Sequence, residues 1–246
     1  MRTIKLIIAY DGTDFLGWQR QQGEARTVQA VMEAALEKLH GHPVPLTAAG
    51  RTDSGVHARA QAAGFQTDIE NIKPCKFVPA LNSLLPADAR IMDSCEVPEG
   101  FHARFDARVR TYRYFFIAGR RALPHESRYA LQLWRIPDIN TLNSYCRLLP
   151  GERDCAIFAG AGDASKTTFR NISHAAFLIE GDRLVFEISA NAFLLKMARS
   201  VAGTFLHYEE RETPPEQLRE IIASGGRSQA GPTLPPQGLF LWRVEY

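Results

Sequence analysis

The chain has 246 residues, of which 45% are hydrophobic and 23% charged, and its formal net charge is +2. This composition excludes a disordered or collagen-like chain, and the length allows one large domain or two smaller ones. No apolar run approaches the roughly 18–20 residues that a membrane helix needs, and no signal core precedes the first predicted strand. We expect a cytoplasmic protein with reduced thiols and no metal site, since zinc-site spacing is absent among Cys75, Cys95, Cys146 and Cys155.

The first quarter of the chain predicts a strand, a helix and two further strands. Thr3–Tyr10 is rich in β-branched residues, as strands are. Thr27 is suited to cap a helix over Val28–His40. Strands are then predicted at Val44–Ala49 and Ala60–Thr67. This β-α-β-β order is typical of an α+β fold.

A short polar turn lies between these last two strands and reads Gly-Arg-Thr-Asp-Ser-Gly from Gly50 to Gly55. Glycine adopts backbone angles that other residues avoid, so such a turn can be short and fixed. Its tip carries Asp53, two residues after Arg51, and a neighbouring cation favours the ionised carboxylate that a nucleophile requires. The alternative is a structural aspartate, because Asp-Ser-Gly is also common turn chemistry.

A basic segment follows a predicted helix at Phe77–Leu85 and a predicted strand at Ile91–Val97. Between Arg104 and Arg135 the sequence has eight arginines and two acids, which leaves a local charge of +6. Within this segment a strand is predicted, and one of its faces would consist of Arg108, Arg110, Tyr112, Tyr114 and Phe116. Rings stack on bases while cations hold phosphates, so this face suits RNA. The alternative is a solvated, charged edge strand with core aromatics.

The second half follows a polar, proline-marked crossing at residues 119–125, and we predict two domains, 1–120 and 121–246. The predicted elements of this half are a helix, a hairpin, two more helices and a last strand. In chain order they are Asp138–Leu149, Asn171–Ile179 with Arg183–Ser189, a helix that opens at Asn191, Pro215–Ala223, and a strand after Gly238.

The helix predicted to open at Asn191 has a buried stripe at four-residue spacing, formed by Phe193, Met197, Val201 and Phe205. Arg199 lies off this stripe. A lone arginine in that position is ordinarily solvated, so the pattern by itself predicts an exposed side chain.

Several stretches resemble the tRNA pseudouridine synthase A family, in the order in which the family has them. They are Tyr10–Gln21, Gly50–Ala58, Phe101–Phe105 followed by Arg110–Tyr114, Ala190–Gly203, and Pro236–Leu241. The resemblance therefore covers nearly the whole chain. One departure is Cys155, which follows Asp154 where the family usually has an aromatic residue.

The resemblance implies a role for each candidate site residue. Asp53 would be the nucleophile, Arg199 its basic partner, and Tyr112 the ring that stacks on the target uracil. Arg51 would fill the vacated base stack or hold the flipped nucleotide. Substrate contacts are expected from Tyr112 and Arg51 and also from His57, Arg104, Arg108 and Arg110.

The resemblance also implies the reaction, the partners and the fold. The reaction is conversion of uridine to pseudouridine in the anticodon stem-loop of tRNA by a homodimer, without a cofactor or metal. The fold is α+β, with two similar ferredoxin- or RRM-like halves whose antiparallel sheets join into one large sheet, with helices on one side and an active cleft between the halves.

Two alternative functions remain open at this point. The first is a non-catalytic RNA-binding or tRNA-folding module, and the second is the same reaction on another RNA. Phosphate and stacking contacts carry little information about base identity, so they do not separate one RNA from another. The sequence also leaves open whether Asp53 attacks the ribose or the base.

Overall fold

A computed structural model describes residues 1–23 and 25–246 of the chain. By compactness the chain forms two units: the first is Met1–Arg108 with Phe240–Tyr246, and the second is Val109–Leu239. The strands in chain order are β1 (Arg2–Tyr10), β2 (Thr47–Ala48), β3 (His57–Thr67), β4 (Ala89–Val97), β5 (Val109–Ile117), β6 (Leu131–Gln132), β7 (Gly151–Asp154), β8 (Phe169–Glu180), β9 (Arg183–Ala190) and β10 (Leu239–Glu245). The α-helices are α1 (Val28–His40), α2 (Phe77–Asn82), α3 (Ile139–Cys146), α4 (Met197–Glu209) and α5 (Pro215–Ser224).

The first unit is built on a mixed sheet with the strand order β4-β1-β3-β10, and β2 pairs with β3. β1 is antiparallel to both of its neighbours, whereas β10 runs parallel to β3 with Phe240 opposite His57. The predicted strand at Thr3–Tyr10 is confirmed, and alternate residues of β1 are fully buried, as in Ile4 and Leu6. This sheet supports the turn that carries Asp53, because β2 and β3 flank that turn.

Helix α1 has the predicted limits, and both of its ends are capped. The Thr27 hydroxyl accepts a hydrogen bond from the Ala30 amide at 3.3 Å, which satisfies one of the open donors of the first turn. Gly41 adopts a left-handed conformation with φ 77° and donates to the Glu37 carbonyl at 2.8 Å. These local signals are sufficient to fix the helix limits.

Two predicted elements of the first unit are shorter than expected. The strand predicted at Val44–Ala49 is limited to Thr47–Ala48, because Pro45 has no amide hydrogen to contribute to a ladder. Val44 is nevertheless buried, which explains its apolar character. The helix predicted to reach Leu85 ends at Asn82, whose side chain bonds the backbone of Ile91.

The second unit has a sheet with the order β5-β9-β8-β7, and β6 pairs with β5. The long pairs are antiparallel but β6 is parallel to β5, so the prediction of purely antiparallel sheets is wrong for both units. The α+β class itself is confirmed. β5 is buried on both faces, including Thr111, Tyr114 and Ile117, so the alternative is wrong about solvation but correct that the aromatic residues lie in the core.

The predicted helices of the second unit differ from the observed ones at their ends. α3 begins after its predicted cap, Asp138, but stops at Cys146. α4 starts at Met197 and not at Asn191, because the Asn191 side chain accepts from the Asn171 amide and Lys196 adopts a left-handed conformation at φ 60°. The β8–β9 hairpin and α5 are confirmed.

Within residues 1–23 and 25–246, no helix is long and apolar enough to cross a membrane. The division into domains 1–120 and 121–246 stays a prediction, and so does the joining of the two sheets around a cleft.

Candidate active site

Asp53 lies in the first unit, on the loop between β2 and β3, and its side chain is half-buried. Gly55 has a φ of 76°, and the Val56 amide donates to the Asp53 carbonyl at 3.1 Å, so the turn is closed directly after the carboxylate. On the other side, the Gln61 amide group donates to the Gly50 carbonyl at 2.8 Å. The loop is therefore fixed at both ends by its own strands.

The segment that follows β1 forms the support under this loop. The Trp18 amide donates to the Thr52 carbonyl at 3.0 Å, and the Gly55 amide donates to the Phe15 carbonyl at 3.3 Å. The Tyr10 and Thr52 hydroxyls are hydrogen-bonded at 2.7 Å in a buried position. Backbone and side-chain bonds thus hold the residue immediately before Asp53.

Two glycines of the same segment allow the two backbones to touch. A Cβ atom on Gly12 would lie 2.1 Å from the Val56 carbonyl oxygen, and one on Gly17 would lie 2.8 Å from the Thr52 carbonyl oxygen. Gly17 also has a φ of 88°, which side chains disfavour. The Tyr-Asp-Gly and Gly-Trp pieces of the sequence therefore position the Asp53 loop.

His57 has a structural place that the sequence did not predict. Its side chain is fully buried, its Nδ1 accepts from the Gly12 amide at 2.9 Å, and its ring stacks on Phe240 at 4.5 Å. In this structure the His57 side chain has no exposed surface and its contacts support the loop, and its substrate contact stays a prediction. Trp18 is likewise packed, at 2% exposure, beside the Tyr10 ring.

Tyr112 lies in the second unit on β5 and is 8% exposed. Its ring meets Phe193 edge to face, with a centroid distance of 4.8 Å and an interplanar angle of 72°. Phe193 belongs to the loop before α4, which is held by the Asp163 carboxylate accepting from the Leu195 amide and by the Gly160 amide donating to the Leu195 carbonyl. The Tyr112 ring thus has a fixed neighbour on a fixed loop.

Arg199, on α4 in the second unit, is buried, at 9% exposure, contrary to the solvated position that its spacing predicts. Its Nε donates to the Leu234 carbonyl at 2.6 Å. The segment of Leu234 packs tightly on the helix, because a Cβ on Gly203 would lie 1.9 Å from the Pro232 carbonyl oxygen. Burial raises the pKa of Tyr114, and the nearby positive charge of Arg199 opposes part of that rise.

The basic segment is less available than its composition indicates. Arg113 pairs with Glu180 and Glu187, Arg120 with Glu126 and Asp182, and Arg135 with Glu209. Hydrogen bonds from Arg120 lower the pKa of Glu126 to about 2. Three of the eight arginines are therefore paired with carboxylates from outside the segment, in addition to the pairing of Arg120 with Glu126 inside it.

The remaining predicted RNA contacts divide into exposed and buried arginines. Arg51, Arg104 and Arg108 are exposed in the first unit. Arg110, in the second unit, is 8% exposed and donates to the Asn191 carbonyl at 2.6 Å. The structure thus groups Arg51, Asp53, His57, Arg104 and Arg108 in the first unit, and Arg110, Tyr112 and Arg199 in the second.

Sequence reasoning missed the residues that hold these groups. Gly12 and Gly17 had a detectable signal, since each lies inside a stretch that resembles the family. Asp163 and Leu234 had none, because their contacts depend on residues far away in the sequence. Cys155 is buried and its pKa is raised to about 11, so the departure from the family pattern is a packed thiol.

No cluster of three or more His, Cys, Asp or Glu side chains suited to a metal ion occurs in the described part of the chain.

Comparisons with known proteins agree on one family. A family described as tRNA pseudouridine synthase matches residues 6–106 and 145–246. A tRNA pseudouridine synthase A of Treponema denticola is 50% identical over 249 residues, which cover 100% of this chain and 93% of that protein. The proteins of the same description from Treponema pallidum (strain Nichols) and Caldicellulosiruptor bescii are 45% and 41% identical, over 94% and 100% of this chain and 84% and 100% of theirs.

Proposed function

Because the chain belongs to the tRNA pseudouridine synthase A family, we propose that it isomerises uridine to pseudouridine in the anticodon stem-loop of tRNA, with Asp53 as nucleophile. The observation that carries the proposal is the Asp53 loop itself. It presents a half-buried carboxylate on a backbone that two strands and a glycine-containing support hold in place. Catalysis depends on holding a reacting group in one geometry, and this loop meets that requirement.

The reaction rearranges atoms within one nucleotide. The bond between uracil N1 and ribose C1′ breaks, the base turns, and a bond between C5 and C1′ forms. C5 loses a proton and N1 ends with one, so the product is an isomer and neither oxidant nor group donor is required. Asp53 serves as the nucleophile of this exchange, at either the ribose or the base.

We assign the remaining roles as follows. Arg199 is the basic partner of the Asp53 carboxylate. Tyr112 stacks on the uracil, and its contact with Phe193 supports a fixed ring orientation for that purpose. A base inside a stem must first be extruded, at a cost of about a few kcal/mol, and Arg51 offsets this by occupying the vacated stack.

The proposal extends to the setting of the reaction. Arg104 and Arg108 contact the RNA backbone, and Arg110 contributes from β5. The protein acts as a cytoplasmic homodimer. Light scattering at working concentration is expected to give twice the chain mass of 27.5 kDa.

The test is Asp53→Asn, assayed for pseudouridine on an unmodified tRNA transcript. Removing a nucleophile typically costs about 10⁴-fold or more in rate, so product formation is expected to fall below detection. Binding of tRNA is expected to persist, because the substitution removes a negative charge from a site for an anionic ligand. Retained product formation would reject Asp53 as nucleophile, and wild-type protein that binds tRNA without forming pseudouridine would favour a non-catalytic RNA-binding module.

A further inference from the structure

The segment between β4 and β5 exposes a phenylalanine to solvent. Phe105 is 74% exposed, whereas Phe15, Phe65 and Phe77 of the same unit are at most 3% exposed. A single exposed apolar side chain is ordinary in itself, so the meaning of Phe105 depends on how it is held.

The tip that carries Phe105 is fixed by hydrogen bonds to His102. The amides of Arg104 and Phe105 donate to Nδ1 of His102, at 3.2 and 3.3 Å. The Asp106 amide donates to the His102 carbonyl at 3.0 Å, and the His102 amide donates to the Asp106 carboxylate at 2.8 Å. The His102 ring also stacks on the Phe105 ring at 4.3 Å and 26°. These hydrogen bonds fix the backbone, and the stacked His102 ring holds the Phe105 ring in one orientation.

The base of the segment is anchored to the sheet of the first unit. The Tyr246 hydroxyl donates to the Ala103 carbonyl at 2.9 Å, and Tyr246 packs on Phe101 at 4.9 Å. Further along, the Arg108 amide donates to the Glu245 carbonyl at 2.8 Å. Phe105 therefore projects from a segment that is anchored at both ends, by Tyr246 before it and by Glu245 of β10 after it.

The surroundings of the ring are cationic. The Arg104 guanidinium carbon lies 5.7 Å from the centre of the Phe105 ring, and Arg104 and Arg108 are both exposed. Asp106 is the one acid between residues 101 and 108, and its carboxylate accepts the His102 amide. An aromatic ring beside cations complements an anionic ligand that has unpaired bases.

We propose that Phe105 is a stacking platform for an unpaired base of the tRNA substrate, flanked by Arg104 and Arg108, which hold the adjacent phosphates. This inference rests on the proposed function for the identity of the RNA. The platform adds a binding residue outside the set assigned to the reaction, and its contribution is to affinity and positioning rather than to bond making.

The experiment compares three variants by filter binding to an unmodified tRNA transcript. Phe105→Leu keeps the apolar volume but loses the π-face, and stacking of a base on an aromatic ring is worth about 1–3 kcal/mol, so Kd is expected to rise at least about fivefold. Phe105→Tyr keeps the π-face and is expected to stay within about twofold of wild type. The matched control is Trp134→Leu, because Trp134 is also an exposed aromatic residue, at 90% exposure. It follows β6, which pairs with Phe116 and Ile117 at the end of β5 distant from Arg110.

Salt dependence separates stacking from charge. Phe105→Leu is expected to leave the slope of log K against log salt unchanged, because a stacked ring releases no counterions. Arg104→Gln is expected to reduce the slope by about 0.7–0.9, the value for one phosphate contact.

Wild-type affinity in Phe105→Leu would overturn the proposal. If the oligomeric mass of that variant changes at the same time, the ring is a protein contact. Pseudouridine formation by the wild type is measured in parallel, so that failure of the isomerase activity is recognised separately from failure of the platform.

Discussion

The Asp53 loop and the Arg199 helix hold their charged groups in opposite ways. Asp53 is half-buried on a loop whose backbone is bonded on both sides, and the contacts that fix it are made mainly by main-chain atoms and glycines. Arg199 is 9% exposed on a helix, and its own side chain donates to the carbonyl of Leu234, 35 residues away. The first region fixes the backbone under the charge, and the second fixes the side chain itself.

This difference determines which substitutions each region tolerates. A loop held by close backbone contacts depends on the absence of a side chain at the point of contact. A buried guanidinium depends on its own donors, since an unsatisfied partner in the interior costs about 1–3 kcal/mol. The two regions are therefore expected to fail for different reasons, and substitutions in each can be chosen to test that.

Among substitutions that leave both charges in place, the largest effect is expected from Gly12→Ala. The new Cβ would lie 2.1 Å from the Val56 carbonyl oxygen, so the support and the Asp53 loop must move apart. A displacement of about 1 Å at a catalytic group costs about 100-fold, and kcat/KM for tRNA is expected to fall by that factor. Gly226→Ala is the matched control, because Gly226 has no positive φ and a Cβ there would lie 3.8 Å from the side chains of Gln229 and Ser224. Equal activity of the two variants would mean that the support does not position Asp53.

The same comparison explains which features could be predicted from the sequence. The limits of α1 follow from Thr27 and its neighbours, and the β8–β9 hairpin follows from two alternating segments around a short turn. The start of α4 could not be predicted, because it depends on the Asn191 side chain binding the Asn171 amide across 20 residues.

The candidate site divides in the same manner. Asp53 could be selected because its loop is one continuous piece of sequence. The burial of Arg199 could not be predicted. Helical periodicity shows which face of the helix is apolar, but it does not show that Leu234 covers another face. The burial of His57 could not be predicted for a related reason, since a motif gives the identity of a residue but not the direction of its side chain.

A smaller effect is expected from Arg199→Lys, which keeps the charge but removes the Nε donor to Leu234. If the second region works by fixing the side chain, charge alone is insufficient, because a lysine ammonium lacks the planar fork of donors. We expect kcat/KM to fall about tenfold and the free energy of unfolding to fall by about 1–2 kcal/mol. Activity and urea unfolding are measured on the same preparation, and wild-type values for both would show that only the charge of Arg199 matters.

The smallest effect is expected from a substitution at Ser200, next to Arg199, and it is a gain in stability rather than a loss. The Ser200 hydroxyl is fully buried and has no hydrogen-bond partner among residues 1–23 and 25–246, so its desolvation is uncompensated. Ser200→Ala removes that cost and improves helix propensity, and we expect the free energy of unfolding to rise by about 0.5–1 kcal/mol.

The control for Ser200→Ala lies one turn further along α4. The Thr204 hydroxyl donates to the Ser200 carbonyl at 2.7 Å and accepts from the Gly231 amide at 3.1 Å. Thr204→Ala therefore leaves the Gly231 amide without its partner and is expected to lower the free energy of unfolding by about 1–3 kcal/mol. If Ser200→Ala raises the free energy of unfolding and Thr204→Ala lowers it, the Arg199 region is stabilised by the segment that carries Gly231 and Leu234. A loss of stability in Ser200→Ala would instead mean that this hydroxyl contributes to holding α4, and that the helix does not rely on that segment alone.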